Sequence, residues 1–137
     1  MFADRVLAGK KILITGGGSG IGKSLGTRFL ELGAEIVICG RREEVLKGTV
    51  AEWTTSGGRA SYVVCDVRFP DKVDAMFNEI WLDRPLDGLV NNAAGNFIAR
   101  TETLSPRAFD SVLNIVLHGS AYCTPAAGKR WIEGNHR

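Results

Sequence analysis

Residues that form disulfides or bind metals are scarce in this sequence. Its 137 residues include three cysteines and two histidines. Cys39, Cys65 and Cys123 are widely spaced and form no CxxC pair, and both histidines lie far along the chain from the first two cysteines. A disulfide framework and a structural metal site are therefore not expected.

Charge of one sign and long apolar runs are missing as well. Seventeen Lys and Arg residues against fifteen Asp and Glu residues leave a formal net charge of +2. This charge is too small for a basic surface that binds nucleic acid or an anionic membrane. No segment approaches the roughly 18 consecutive apolar residues of a membrane span, and the first residues lack a signal-peptide pattern. We predict no nucleic-acid or membrane partner, and a reducing, cytoplasmic location.

The composition that is present is that of a globular domain. Hydrophobic residues make up 45% of the chain and charged residues 23%, which provides enough apolar side chain to bury a core. The length corresponds to one domain or part of one. Because no Pro- or Ser-rich linker divides the chain, we expect residues 1–137 to form a single unit.

Short apolar runs alternate with longer stretches of helical period, which is typical of βαβ units around a parallel sheet. The predicted strands are residues 11–15, 35–39, 61–65 and 88–91. Each run is apolar on both faces, as expected of a strand covered by helices on either side. A last helix is predicted to start after Ser105 and Pro106, and Pro125 is expected to kink or end it.

The predicted fold class is α/β: a Rossmann-type, doubly wound parallel sheet that is incomplete, with about four strands and flanking helices. A complete doubly wound sheet has about six strands. We therefore expect this chain to be the N-terminal, cofactor-binding part of a larger domain, with its fourth strand at a sheet edge.

A glycine-rich segment, TGGGSGIG, occupies residues 15–22 between the first predicted strand and the first predicted helix. Glycines there permit a tight turn and let backbone amides approach a pyrophosphate, which the helix N-terminus favours electrostatically. The alternative is a glycine-rich turn without a ligand. We predict that the segment binds a dinucleotide through Thr15, Gly16, Gly18, Ser19, Gly20, Ile21 and Gly22.

Together with NNAAG at residues 91–95, the TGGGSGIG segment resembles the short-chain dehydrogenase/reductase family. The resemblance implies that Asn92, Ala93 and Gly95 lie beside the cofactor's ribose. It also implies that Asp66, with Val67 next to it, binds the adenine amino group. Purely structural roles are the alternatives, a turn for Asn92 and a turn or helix cap for Asp66.

The residues after the second strand bear on the choice of cofactor. An acid about 20 residues beyond the glycine segment would bind the 2′-hydroxyl of NAD, whereas an arginine there accommodates the 2′-phosphate of NADP. This chain has Gly40 followed by Arg41 and Arg42. We predict NADP as the cofactor, with Arg41 as the main phosphate contact and Arg42 assisting it. An ordinary charged first turn of a helix is the alternative.

Within the family, NNAAGNF at residues 91–97 and LSP at residues 104–106 resemble the 2,4-dienoyl-CoA reductases. That resemblance implies an acyl-CoA thioester substrate and NADPH as reductant. It implies that Asn96 is catalytic, binding the thioester and dienolate oxygen, and that Arg68, Phe97 and Ser105 contact the acyl-CoA. Solvated charge, packing and helix capping are the respective alternatives for these three residues.

The family's acid, a tyrosine with a lysine four residues on, cannot be assigned in this chain. Tyr62 is followed at that spacing by Asp66, and Tyr122 by Ala126. The chain alone is therefore expected to be inactive, and family resemblance implies a homo-oligomer. A reductase of 3-oxoacyl thioesters or other carbonyls is one alternative function. A truncated, non-catalytic nucleotide-binding or interaction module is the other.

Overall fold

The computed structural model describes residues 4–96 and 98–135. Strands and helices alternate along the chain, as predicted. The strands are β1 (Lys11–Thr15), β2 (Glu35–Gly40), β3 (Arg59–Val64) and β4 (Gly88–Val90). The helices are α1 (Gly20–Glu31), α2 (Glu43–Thr55), α3 (Pro70–Asp83), α4 (Pro106–Leu113) and α5 (Gly119–Glu133), with a single 3₁₀ turn at Thr101–Thr103 and a π-helical segment at Asn114–His118 that joins α4 to α5.

The four strands form one parallel sheet in the order β3-β2-β1-β4. The chain moves outward from β1 to β3 and then returns to place β4 on the other side of β1. A doubly wound sheet binds ligands where the strand order reverses in this way, beyond the carboxyl ends of the strands. The α/β fold class is confirmed, and it places the candidate site beyond β1 and β4.

The hydrophobic core consists of one layer on each face of the sheet, because successive residues of a strand point to opposite faces. Leu13 and Val37 pack with Phe77 of α3 and Cys123 of α5 on one face. On the other face, residues that include Ile14, Ile36, Leu46 and Trp53 form the layer that packs with α1 and α2.

The prediction of full cover on both faces is correct for the interior strands and wrong for β3. All five residues of β1 are buried, whereas exposed and half-buried residues occur along β3, where Val64 is 48% exposed. In the described part of the chain, β3 lies at an edge of the sheet and pairs with β2 on one side. Less of its surface is therefore covered by neighbouring strands and helices.

The last helix continues through Pro125 to Glu133, so the prediction that Pro125 could end it is wrong. Tertiary contacts hold the residues that follow. Ala127 is fully buried, and Trp131 Nε1 donates a hydrogen bond to Leu86 O at 2.6 Å. These contacts compensate for the backbone hydrogen bond that a proline cannot donate within a helix.

A cluster of charges lies at the amino ends of the strands, opposite the candidate site. Lys11 is buried, and its Nζ lies 2.8 Å from the Asp83 carboxylate and 3.8 Å from that of Glu35. Glu35 also accepts hydrogen bonds from Arg59 at 2.7 Å and Arg84 at 3.1 Å. Because three cations surround this one largely buried carboxylate, Glu35 balances charge that would otherwise be repulsive.

Neutralising Glu35 is expected to destabilise the fold. Glu35→Gln keeps the shape of the side chain but leaves Lys11 and two guanidinium groups facing a neutral amide, so we expect the free energy of unfolding to fall by about 1–2 kcal/mol. Glu31→Gln removes an exposed ion pair with Arg28 and should cost less than about 0.5 kcal/mol. Urea unfolding of both variants measures this difference, and equal losses would contradict the role of Glu35.

Candidate functional site

A cleft of about 330 Å³ opens beyond the carboxyl ends of β1, β2 and β4. Most residues predicted to bind the cofactor line it. Those residues are Gly16, Gly18, Ser19, Ile21, Gly22, Arg41, Arg42, Asp66, Val67, Asn92 and Ala93. Thr15 and Asn92, from two of the sequence motifs, are 77 positions apart in the chain. The motifs meet in one place because parallel strands end at the same edge of the sheet.

The glycine segment passes so close to neighbouring backbone that side chains would collide. Gly16 has φ +67°, and a Cβ there would lie 2.9 Å from the Ala93 Cα. A Cβ on Gly22 would lie 2.5 Å from the Gly16 carbonyl oxygen. The glycines therefore allow the turn to pack backbone against backbone beside the cleft, as the tight strand-to-helix turn of a dinucleotide-binding fold requires.

The segment after β4 is hydrogen-bonded directly to this turn. Thr15 Oγ1 accepts from the backbone N–H groups of Asn92 at 3.0 Å and Ala93 at 2.9 Å. The Asn92 side-chain amide donates to the Thr15 carbonyl at 3.0 Å and to the Gly16 carbonyl at 3.2 Å. Thr15 and Asn92 thus join the ends of β1 and β4, and Thr15 is buried behind the cleft rather than lining it.

The first turn of α1 is open to an anion. Gly20 begins the helix with φ +53°, and Ser19 and Ile21 on either side of it are exposed. Within the described part of the chain, no side chain caps this helix end and no acidic residue lies in its first turn. Free N–H groups and the positive end of the helix dipole favour a negatively charged ligand there.

Arg41 and Arg42 form the wall of the cleft next to β2. Both are exposed, and Arg42 directly precedes α2, whose first turn contains Glu43 and Glu44. Their positive charges stand at the positive end of the α2 dipole, which is unfavourable without an anion nearby. The two glutamates offset part of that cost.

Asp66 follows β3 and is held by Arg68. The Arg68 Nε donates to Asp66 Oδ1 at 2.9 Å, and the backbone N–H of Arg68 donates to the same oxygen at 3.2 Å. The hydrogen bond from the Arg68 side chain lowers the pKa of Asp66 below its ordinary value of 3.8, although partial burial opposes the shift. The carboxylate is therefore ionised at neutral pH. Asp66 is a turn aspartate that also lines the cleft.

Two cysteines that the sequence analysis did not assign to the site also line the cleft. Cys39 ends the buried part of β2, and Cys65 follows β3. Burial raises the pKa of Cys65 to about 11 and raises that of Cys39 well above its ordinary value. Both thiols are thus neutral and form part of an uncharged floor. The sequence shows that both cysteines lie at strand ends. A cysteine at such a position is equally compatible with a place in the hydrophobic core, so it gave no signal for a site.

Apart from Gly40 at the end of β2, the remaining lining residues are apolar and come from three different segments. Val45 and Leu46 belong to α2, Ala94 follows Ala93, and Ile115 lies in the π-helical segment. A Cβ on Gly95 would lie 2.8 Å from Ile115 Cδ1, so Gly95 lets this segment approach without lining the cleft itself. The sequence shows these residues only as apolar positions, which carry no signal for a site.

Of the residues predicted to act on substrate, Arg68, Asn96 and Ser105 lie outside the lining of this cleft. Asn96 is exposed, and Ser105 caps α4 by accepting a hydrogen bond from the Ala108 N–H at 3.2 Å. Arg68 is engaged by Asp66, and Phe97 lies outside the described residues. The capping alternative for Ser105 is confirmed. The substrate roles of these residues stay predictions.

Across residues 4–96 and 98–135, no group of three or more His, Cys, Asp or Glu side chains is arranged to hold a metal ion. Over that same part of the chain, none of the helices combines the length and apolar character needed to cross a membrane.

Residues 10–136 match the family described as short chain dehydrogenase. The chain is 44% identical over 133 residues to "Probable 2,4-dienoyl-CoA reductase 3 [(3E)-enoyl-CoA-producing]" of Caenorhabditis elegans, covering 95% of this chain and 43% of that protein. It is 42% identical over 137 residues to the "Peroxisomal 2,4-dienoyl-CoA reductase [(3E)-enoyl-CoA-producing]" of Arabidopsis thaliana, covering 97% of this chain and 45% of that protein. The chain thus spans less than half the length of these curated relatives.

Solved structures agree with these sequence matches. A gluconate 5-dehydrogenase from Burkholderia cenocepacia, determined in complex with NADP and tartrate, superposes with a TM-score of 0.89 at 31% identity. The match covers 96% of this chain and 52% of that protein. The fold, the cleft and the family match lead to one conclusion: the chain belongs to the short-chain dehydrogenase family.

Proposed function

We propose that this chain is the cofactor-binding part of an NADPH-dependent oxidoreductase that reduces a 2,4-dienoyl-CoA thioester. The observation that supports NADPH binding is the cleft itself. A glycine-rich turn at residues 16–22 lies beside an open helix N-terminus, and Arg41 and Arg42 stand along one wall. The relatives named 2,4-dienoyl-CoA reductases support the substrate class.

The residues of the cleft fit the successive parts of the cofactor. The backbone of residues 16–22 would hold the diphosphate, and Arg41 with Arg42 would hold the 2′-phosphate. Asp66 would accept a hydrogen bond from the adenine amino group, with Val67 beside the ring. Asn92, Ala93 and Gly95 would support the ribose nearer the nicotinamide. When bound, NADPH supplies the hydride for the reduction.

Preference for NADPH over NADH is expected to depend on Arg41. Arg41→Ala removes a guanidinium that would form charge-assisted hydrogen bonds, so NADPH affinity should fall roughly 10–100-fold while NADH affinity changes less than about twofold. Lys47→Ala, which removes an exposed cation from α2, should leave both affinities unchanged. Fluorescence titration measures the dissociation constants of both cofactors for wild type and the two variants. An unaltered NADPH preference in Arg41→Ala would refute the 2′-phosphate assignment.

Recognition of adenine is expected to depend on ionised Asp66. Wild type should prefer NADPH over the analogue with hypoxanthine in place of adenine, and Asp66→Asn should lose most of this preference. Because the pKa of Asp66 lies below 3.8, the carboxylate stays ionised, and the preference should be flat between about pH 5 and pH 8. Competition titrations across that range provide the measurement, and a preference that titrates within it would contradict the assignment.

Asn96 is the residue we assign to the thioester. A side-chain amide can donate a hydrogen bond to the oxygen on which negative charge develops during reduction. Asn96 follows directly after Gly95 at the end of the β4 segment and is exposed, so it is accessible to a ligand. Arg68, Phe97 and Ser105 are proposed acyl-CoA contacts on resemblance alone.

Substrate class is tested by binding to the NADPH-saturated chain. We expect a 2,4-dienoyl-CoA to bind more tightly than a 3-oxoacyl-CoA of equal length, and Asn96→Ala to weaken the dienoyl thioester roughly tenfold. Ser111→Ala, an exposed change on α4, is the matched control. Equal binding of the two thioesters would favour the carbonyl-reductase alternative.

No turnover is expected from the chain alone, because we assign neither the tyrosine nor the lysine that would donate the proton. NADPH oxidation in the presence of a dienoyl-CoA should stay at the background rate. Steady oxidation would contradict the assignment of a missing acid pair, and absence of NADPH binding would leave an interaction module as the remaining function. A homo-oligomer and a cytoplasmic location belong to the proposal, although one relative is named peroxisomal.

A further inference from the structure

A buried threonine of α2 forms a hydrogen bond with the glycine segment. Thr49 is 4% exposed, and its Oγ1 donates to the Gly18 carbonyl oxygen at 2.9 Å. The two residues are 31 positions apart, so the bond joins separate elements. Thr49 does not line the cleft, and neither the glycine motif nor the arginine pair includes it.

The glycine segment rests on α2 at this point. A Cβ on Gly18 would lie 3.1 Å from Leu46 Cδ2 and 3.2 Å from Val45 Cγ1. Apolar contacts therefore set how closely Gly18 approaches the helix, but they do not determine how its peptide group is rotated. The hydrogen bond from the Thr49 hydroxyl is directional and determines that rotation.

The orientation of one peptide group follows from this hydrogen bond. In a planar trans peptide the carbonyl and the next N–H point in opposite directions, and the described chain contains no cis peptide bond. Binding of the Gly18 carbonyl to Thr49 consequently turns the Ser19 N–H away from α2. Ser19 lines the cleft and precedes the first residue of α1.

We propose that Thr49 is a positioning residue for the dinucleotide: it fixes the Gly18–Ser19 peptide and so holds the glycine segment in the form that accepts a diphosphate. This inference rests on the proposed function. Because α2 begins directly after Arg41 and Arg42, the same hydrogen bond also fixes the position of the glycine segment relative to the two arginines.

The test compares three variants: one removes the Thr49 hydroxyl, one keeps it, and one removes the hydroxyl of another threonine in α2. Thr49→Val keeps the branched shape and removes the donor, and Thr49→Ser keeps the donor. Thr54→Val is the matched control, because Thr54 Oγ1 donates at 2.9 Å to the Val50 carbonyl within the same helix and is exposed. Dissociation constants are measured for NADPH, NADH and ADP-ribose, which share the diphosphate.

We expect Thr49→Val to weaken all three ligands by a similar factor of roughly ten, because the change acts on the shared diphosphate. Thr49→Ser should stay within about threefold of wild type, and Thr54→Val should be unchanged. If Thr49→Val does not fold, Thr49→Ala deletes the same hydroxyl and is judged by the same constants.

Two failures are distinguishable. A wild-type chain that binds none of the three ligands overturns the proposed function, and with it this role. Wild-type binding with equal constants for wild type and Thr49→Val overturns the role of Thr49 alone, even if the variant unfolds at a lower temperature. A loss confined to NADPH also overturns it, because that pattern belongs to the 2′-phosphate site.

Discussion

The close approach of backbone to backbone beyond β1 is the constraint on which the rest of the structure depends. The chain turns from β1 into α1 in a space that has no room for side chains at Gly16 and Gly22. At these two positions the chain packs backbone against backbone, and peptide groups lie beside the cleft together with the side chains of Ser19 and Ile21. The N–H groups at the helix N-terminus provide hydrogen-bond donors and a positive potential, to which the cationic wall of the cleft adds charge.

Such a turn needs support, because glycine has more conformational freedom in the unfolded chain than any other residue. Support comes from two sides. On the β4 side, the hydrogen bonds of Thr15 and Asn92 close the gap between adjacent strand ends. On the α2 side, Thr49 holds the Gly18 carbonyl. Arg41, Arg42 and Asp66, which line the same cleft, are then arranged around a turn whose position is already determined.

The parts of this site that could be predicted were those with a local cause. Glycines at residues 15–22 and small residues at 93–95 are required by short-range sterics, so their pattern is visible in one sequence. The roles of Thr49 and of the Arg68 contact with Asp66 have no such pattern. A threonine in a helix and an arginine after a strand are common, and only the packing of α2 and the conformation of the turn after β3 give these two their partners.

By itself, the sequence determined the order of strands and helices, the parallel sheet and the place of the glycine turn, because alternating apolar runs and glycine spacing act over a few residues. Only the tertiary structure decided that α5 continues through Pro125, that β3 is partly exposed and that Lys11 is buried among carboxylates. Each of these depends on which elements pack together across the sheet. Contacts between residues far apart in the chain override local preference in such places, and no local pattern records them.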